Sequence, residues 1–106
     1  MNGYGEYSWK DGRFYKGQYQ NGEKDGFGIY RWADSRLYIG HWKNGKQDGY
    51  GKYVFIGGEV KFGIWKEGNR TLWLNDVQIE QLKAQKDKKF ISVLQTNYLK
   101  QDDTAN

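Results

Sequence analysis

Residues 38–51 read Tyr-Ile-Gly-His-Trp-Lys-Asn-Gly-Lys-Gln-Asp-Gly-Tyr-Gly, and this stretch has a close copy 23 residues earlier, at 15–28. A third, altered copy begins at Lys61. Glycines and aromatic residues hold the same places in each copy. A fixed period of this length is typical of stacked repeat proteins, in which each unit buries its apolar face only against its neighbours. Such architectures usually provide surfaces that hold partners.

Each repeat predicts two short strands joined by a hairpin. In the first unit the strands are 5–9 and 14–19, and Asp11-Gly12 between them predicts a type I′ turn, which needs positive φ at both central residues. Residues 20–26 are expected to form a loop to the next unit. The positions that repeat in register are Gly3, Gly26 and Gly49; Gly5, Gly28 and Gly51; Tyr7, Tyr30 and Tyr53; and Trp9, Trp32 and Phe55.

Alternation along the strands places the aromatic residues on one face of the sheet, with glycines that leave room for the rings. A buried aromatic side chain removes roughly 150–250 Å² from water, so we predict that this row holds the sheet together. The alternative is a face that stacks against a ligand or binds a protein. The candidates are Tyr7, Trp9, Tyr15, Tyr19, Tyr30, Trp32, Tyr38, Trp42, Tyr53 and Trp65.

The opposite face turns apolar in the second and third units, so another segment must cover it. From Asn75 onward glycine disappears and the apolar spacing becomes helical, with Asn75 or Asp76 as N-cap and a polar break at 86–89. We therefore predict a repeat sheet over 1–74, one or two amphipathic helices over 75–101 and a frayed tail over 102–106. The helical segment either packs on the sheet or is offered to the groove of a partner.

These patterns resemble the MORN (membrane occupation and recognition nexus) repeat, whose motif is roughly Tyr-x-Gly-x-Trp/Tyr-x-Asn-Gly-Lys-x-x-Gly-x-Gly. The match runs over residues 3–68. The third copy departs from the motif, because Lys61 replaces the tyrosine and the closing Gly-x-Gly is missing after Gly68. Atypical terminal repeats are common where an array ends.

The resemblance implies a mostly β fold: an elongated, single-layer antiparallel sheet of successive hairpins, with the C-terminal helical segment packed on it. It also implies a scaffolding or tethering role. Proteins of this family occur in ciliary axonemes and other cytoskeletal structures, at membrane junctions, and as non-catalytic modules of lipid kinases and methyltransferases. A motif alone does not select among these functions.

The residues do not predict an enzyme. The chain has no cysteine and one histidine, His41, which is expected to be a surface or packing residue. The glycine pairs lack the spacing of a phosphate-binding loop. Asp11, Asp25, Asp34 and Asp48 are expected in turns, where they serve turn geometry. We therefore expect no catalytic residue, no metal site and no cofactor.

Charge and composition limit the partners. The net charge is +4, from 17 basic and 13 acidic residues that are interspersed, so nucleic acid is not expected. We expect protein partners in a larger cytoplasmic assembly, of the cytoskeleton or the cilium. The open N-terminal edge near 4–9 can add a partner strand or pair with a second copy. The alternative partner is anionic lipid, contacted by Lys24, Arg36, Lys43, Lys46 and Lys66. A regulatory module of a larger enzyme is a third reading.

Overall fold

The computed structural model describes residues 2–98, which form seven antiparallel strands followed by two helices. Each strand is bonded to the next along the chain, so the sheet is open and β1 and β7 are its edges. The predicted fold class is confirmed. The predicted frayed tail at 102–106 lies outside the described residues. The elements are β1 Gly3–Ser8, β2 Phe14–Gln20, β3 Glu23–Arg31, β4 Leu37–Lys43, β5 Lys46–Val54, β6 Val60–Lys66, β7 Asn69–Trp73, α1 Asp76–Ala84 and α2 Lys88–Gln95.

Two-residue turns, rather than the predicted loops, link the repeats. Asn21 and Gly22 have φ of 53° and 81°, and Asn44-Gly45 has nearly the same values. Positive φ at both central residues is the mark of a type I′ hairpin, whose twist suits the flanking strands. The expected loop over 20–26 was therefore wrong, since β3 begins at Glu23 directly after the turn. The Asn-Gly pair in each of these turns is the sequence signal for a type I′ hairpin.

The turn within the first repeat differs from the type I′ prediction. Gly12 has φ of 100°, but Asp11 does not have positive φ. The Trp9 N–H donates to the Arg13 carbonyl at 2.9 Å, and the Gly12 N–H donates to the Trp9 carbonyl at 3.2 Å. A single left-handed residue after a four-residue turn is typical of a longer hairpin loop. The hairpin prediction was correct, but the turn type was wrong.

Asp25 and Asp48 lie in strands, not in turns as expected, and each braces the turn of the next repeat. The Asp25 carboxylate accepts from the Asn44 N–H at 3.2 Å, and the Asp48 carboxylate accepts from the Glu67 N–H at 3.0 Å. The Asn2 side chain makes the same bond to the Asn21 N–H at 2.7 Å. One side-chain acceptor per repeat therefore satisfies a turn amide of its neighbour.

The glycines of the aromatic face admit tyrosine rings against the backbone. A Cβ built on Gly28 would lie 2.2 Å from the Tyr15 hydroxyl oxygen, and one on Gly51 would lie 2.3 Å from Cε1 of Tyr38. The hydroxyls of Tyr15 and Tyr38 donate to the carbonyls of Gln18 and His41, both at 2.9 Å. Both rings are fully buried. The repeat thus fixes a tyrosine above a glycine of the following strand.

The C-terminal segment forms two helices because Lys86 ends the first of them in the left-handed conformation, with φ of 56°. Asn75 caps α1 through a reciprocal pair of hydrogen bonds with Gln78, and Asp87 caps α2. Helix α2 packs on β4 and β5 and buries Phe90 and Val93. It leaves Ile56 and Val60 exposed, so the cover of the apolar face is incomplete. Helix α1 has no buried residue and contacts α2.

Lys52 on β5 holds the C-terminal end of α2 against the sheet through hydrogen bonds. It is 5% exposed, and its Nζ donates to the carbonyls of Leu94 and Thr96 at 3.1 and 2.7 Å and to Oδ1 of Asn97 at 3.3 Å. A cation at a helix C-terminus offsets the partial negative charge of the last carbonyls. Burial lowers the pKa of this ammonium group. The sequence did not predict this role for a lysine in an otherwise apolar stripe.

Candidate functional site

The aromatic face forms the main core of the sheet. Tyr15, Tyr38, Trp42 and Trp65 are buried together, and their rings meet edge to face at centroid distances of 4.9 to 5.5 Å. The other candidates at the centre of the row are half-buried against this cluster. They are Tyr19, Tyr30, Trp32 and Tyr53, joined by Trp73. Most of the predicted stacking face is therefore occupied by the protein's own rings.

The N-terminal end of the aromatic row is its exposed part. Tyr7 and Trp9 stack on each other with centroids 4.5 Å apart and planes 18° apart. Tyr7 is 55% exposed, whereas its equivalents Tyr30 and Tyr53 are half-buried. On the opposite face of the same strand, Tyr4 is 59% exposed. The exposed tyrosines Tyr4 and Tyr7 thus lie on one edge strand, one on each face of the sheet.

Two of the five candidate lipid-contact cations are already engaged. The Lys24 Nζ lies above the rings of Tyr15, Tyr30 and Trp42 at 5.4 to 5.8 Å, and burial lowers its pKa. Arg36 forms a 2.8 Å ion pair with Asp34 and donates to the Tyr53 hydroxyl at 2.8 Å. The Arg36 side-chain hydrogen bond holds the pKa of Asp34 below its usual value.

The other three candidate cations lie together. Lys43, Lys46 and Lys66 line one surface depression beside the short turns, at the end of the sheet where the repeats join. Asp48 and Glu67 line the same depression, so its charge is mixed. All three lysines are exposed. Lys46 also lines a second depression, together with Lys24.

The outer edge of β1 is open. No strand of residues 2–98 lies beyond it in the sheet. The Trp9 N–H donates to the Arg13 carbonyl, and bonded residues alternate along an antiparallel strand. Gly5 and Tyr7 therefore direct their backbone groups to β2. By the same alternation, Tyr4, Glu6 and Ser8 direct theirs to the outer edge.

His41 lies under α2, as a packing residue. Its Nε2 is 3.0 Å from the Lys89 carbonyl oxygen, and a carbonyl only accepts, so Nε2 carries the proton. The ring meets Phe27 edge to face at 5.4 Å. Burial lowers the pKa of His41 and outweighs the hydrogen bond to the Lys89 carbonyl, which raises it, while the charges of Lys89 and Asp87 act in opposite directions with smaller effects.

This environment predicts acid sensitivity of the fold. Unfolded His41 takes up a proton near pH 6.5, while the folded state takes it up only at lower pH. Between these values the unfolded state binds more protons, so the free energy of unfolding falls as the pH drops through this window. Urea unfolding at several pH values should show the slope, and His41→Gln should remove it. An NMR titration midpoint at or above about 6.5 would contradict the prediction.

Sequence reasoning placed Phe62 on the apolar face that the helices cover, but it missed Tyr50 and Phe14 as contacts of the C-terminal segment. The Phe62 and Tyr50 rings contact Phe90 at 5.6 and 5.5 Å. Tyr98 lies beyond the end of α2 and packs on Phe14 at 5.3 Å. Helical spacing and the apolar face of the second and third units identified the α2 residues and the side of the sheet that they cover. They did not give the individual ring contacts, because strand order alone does not fix which strands a helix covers. The shared repeat position of Asn2, Asp25 and Asp48 could have revealed the bracing acceptors.

Among residues 2–98, no group of three or more histidine, aspartate or glutamate side chains could hold a metal ion. Within the same residues, neither helix has the length and apolar character needed to cross a membrane.

Comparison with known families agrees with the repeat geometry. No curated protein matches the chain significantly. The profile of the MORN repeat matches residues 1–12, 15–35 and 38–60, which together make up more than half of the 106 residues. The third match ends at residue 60, the first residue of β6, just before Lys61 replaces the repeated tyrosine. Three repeat units stacked as hairpins, two of them with a tyrosine above a glycine of the next unit, place this chain in the MORN repeat family.

Proposed function

We propose that this chain is a non-catalytic scaffold that docks into a larger protein assembly through the open edge of its sheet. The observation that carries the proposal is β1, which exposes a row of backbone donors and acceptors together with Tyr4 and Tyr7. Exposed sheet edges are natural templates for a partner strand. The rest of the repeat face is filled by its own rings, which makes the sheet a stiff support.

The assembly we propose is cytoskeletal, and a cilium or axoneme is the specific case. Support comes from the family, whose members the resemblance links to scaffolding, and from the size of the molecule, whose extents of 39 by 35 by 22 Å allow it to bridge neighbours. A regulatory module of a larger enzyme, the third reading of the sequence, would dock through the same sheet edge. The scaffold and the regulatory module therefore share an interaction role.

Detergent fractionation of the source cells tests the proposal. A scaffold subunit should stay in the detergent-insoluble pellet at low salt and leave it at high salt, and cross-linking in the pellet should join it to its neighbours. Tubulin and a cytosolic enzyme serve as the two reference proteins. Complete release by detergent alone would contradict the proposal.

A second candidate function is binding to anionic lipid, and the grouping of Lys43, Lys46 and Lys66 favours it. Each basic residue near a charged membrane contributes about 1 kcal/mol, so three give weak, salt-sensitive binding. Flotation with vesicles containing phosphatidylserine or a phosphoinositide tests it. Charge reversal at the three lysines should abolish flotation, and Lys10→Glu, at the opposite end of a hairpin, is the matched control.

A further inference from the structure

We propose that a depression beside Lys24 on the aromatic face is a docking site for the carboxylate of an acidic side chain on a partner protein. This Lys24 depression lies where the second repeat meets the third, and Tyr30, Trp32, Lys46 and Gln47 also line it. It is inside the repeat array, away from the sheet edge on which the proposed scaffold function rests. The inference therefore adds a second contact surface and does not depend on the first.

The Lys24 depression is accessible, unlike the buried cluster of rings beside it. Its volume is about 340 Å³, within the range of about 300–1,000 Å³ for small ligand sites. Tyr30 and Trp32 are half-buried, so part of each side chain can still be contacted, and Lys46 is exposed. There is thus room for one incoming side chain, with ring surface for its apolar stem.

Lys24 is a partly desolvated cation without an acceptor. Its Nζ lies 5.4 to 5.8 Å from the ring centroids of Tyr15, Tyr30 and Trp42. Within residues 2–98 its ammonium group makes no ion pair, and burial lowers its pKa. Rings attract a cation, but they do not replace the acceptors that its three N–H groups lose on leaving water. An incoming carboxylate supplies those acceptors.

The charges around Lys24 favour an anionic occupant. Lys24 and Lys46 line the depression, whereas no carboxylate of residues 2–98 does so. Glu23 lies nearby, with Oε2 3.9 Å from the place that a Cβ on Gly45 would take, but it forms no ion pair with either lysine. Hydrogen bonds between an ammonium and a carboxylate are strong, and they are stronger still where water is partly excluded.

Two lysines beside ring surfaces suit a group with one negative charge on an apolar stem. A phosphate monoester carries about two negative charges at neutral pH, and only one of the two lysines, Lys24, is partly withdrawn from water. The side chains of aspartate and glutamate carry a single charge next to methylene groups. The partner is therefore a protein that presents an acidic residue on a protruding loop or an extended segment.

The repeat itself shows that a neutral residue can stand in the place of Lys24. Gln47 occupies the same position one unit later, where Tyr38, Tyr53 and Trp65 take the places of the three rings around Lys24. Gln47 is half-buried, as Lys24 is. The fold therefore accepts glutamine at this position, and Lys24→Gln should remove the charge while the sheet stays intact.

Two short peptides test the charge of the occupant on the unaltered chain. Acetyl-Ser-Phe-Glu-Phe-Ser-amide carries the carboxylate, and acetyl-Ser-Phe-Gln-Phe-Ser-amide has nearly the same shape without it. In NMR titrations, the glutamate peptide should shift the side-chain signals of Lys24 and the indole N–H of Trp42. It should bind at least about tenfold more tightly than the glutamine peptide. The pKa of Lys24 should rise when it binds, because a carboxylate stabilises the charged form of the lysine.

Lys24→Gln tests the site from the side of the protein. It should weaken binding of the glutamate peptide at least about tenfold and keep the unfolding temperature near that of the parent. Lys61→Gln is the matched control. It removes the same charge from a lysine that also lies over rings, those of Phe55 and Trp73 at 5.7 and 5.5 Å, but outside the Lys24 depression. It should bind the peptide as the parent does.

Four results would overturn the proposal. They are equal binding of the two peptides, no shift at Lys24 when the glutamate peptide reaches about 5 mM, unchanged affinity of Lys24→Gln, and tighter binding of inorganic phosphate than of the glutamate peptide. The last result would assign the depression to a phosphate-bearing ligand. If Lys24→Gln does not fold, the peptide pair on the parent chain still decides. Retention in the detergent pellet is a separate result, so the scaffold function can stand while this site is rejected.

Discussion

Trp42→Ala is expected to lower the free energy of unfolding by about 3–5 kcal/mol, the range for truncating a buried aromatic side chain. Trp42 is 8% exposed and meets Tyr15 and Tyr38 edge to face at 5.5 and 5.3 Å. Its indole Nε1 donates to the Gly28 carbonyl at 3.3 Å. The substitution opens a cavity between two repeats and removes that bond. Urea unfolding followed by far-UV circular dichroism measures the loss.

Tyr7→Ala is the matched control for this experiment. Tyr7 belongs to the same aromatic face but is 55% exposed at the open end of the row. Its truncation should cost less than about 1 kcal/mol, as for surface substitutions away from a core. Equal stability of Trp42→Ala and the parent, combined with loss of partner binding, would show that the row is a binding platform.

The difference in burial between Trp42 and Tyr7 shows what the sequence could and could not predict about the aromatic face. Periodicity predicted the hairpin sheet and the aromatic face, because a 23-residue repeat and strand alternation leave little choice. It could not rank the rings by burial. Burial depends on whether a strand exists on each side, and Tyr7 differs from Tyr30 only in lacking such a neighbour.

The candidate lipid-contact cations show a similar limit of prediction from the sequence. Lys24, Arg36 and Lys46 all precede or follow turns, so sequence position alone makes them equivalent surface charges. The fold separates them, because Lys24 lies over three rings and Arg36 bonds to Asp34 and Tyr53. These contacts depend on which rings and hydroxyls the other strands bring close, and a local sequence pattern does not give that. Turn chemistry was more readable: Asn21-Gly22 carries the type I′ signal that was wrongly assigned to Asp11-Gly12.

The tyrosine-over-glycine contact is the repeat's most specific feature, and Gly51→Ala should disrupt it. The added Cβ would lie 2.3 Å from Cε1 and 2.7 Å from Cζ of the Tyr38 ring, which is fully buried and held by its hydroxyl bond to the His41 carbonyl. The ring cannot move without leaving the core. We expect a loss of about 3 kcal/mol or more, at the upper end for overpacked sites and close to that for removing the ring.

Within this chain the third repeat supplies the comparison. Lys61 stands where the first two repeats have Tyr15 and Tyr38, and Leu74 stands where they have Gly28 and Gly51, so the tyrosine and the glycine are lost together. Gly63→Ala is therefore the milder comparison, because its Cβ would meet the Leu72 carbonyl and the Trp65 and Trp73 rings at 3.0 to 3.1 Å, farther than the 2.3 Å at Gly51. In a Tyr38→Ala background, Gly51→Ala should cost far less than in the parent. Additive losses in that double-mutant cycle would show that the ring is not what the added methyl group displaces.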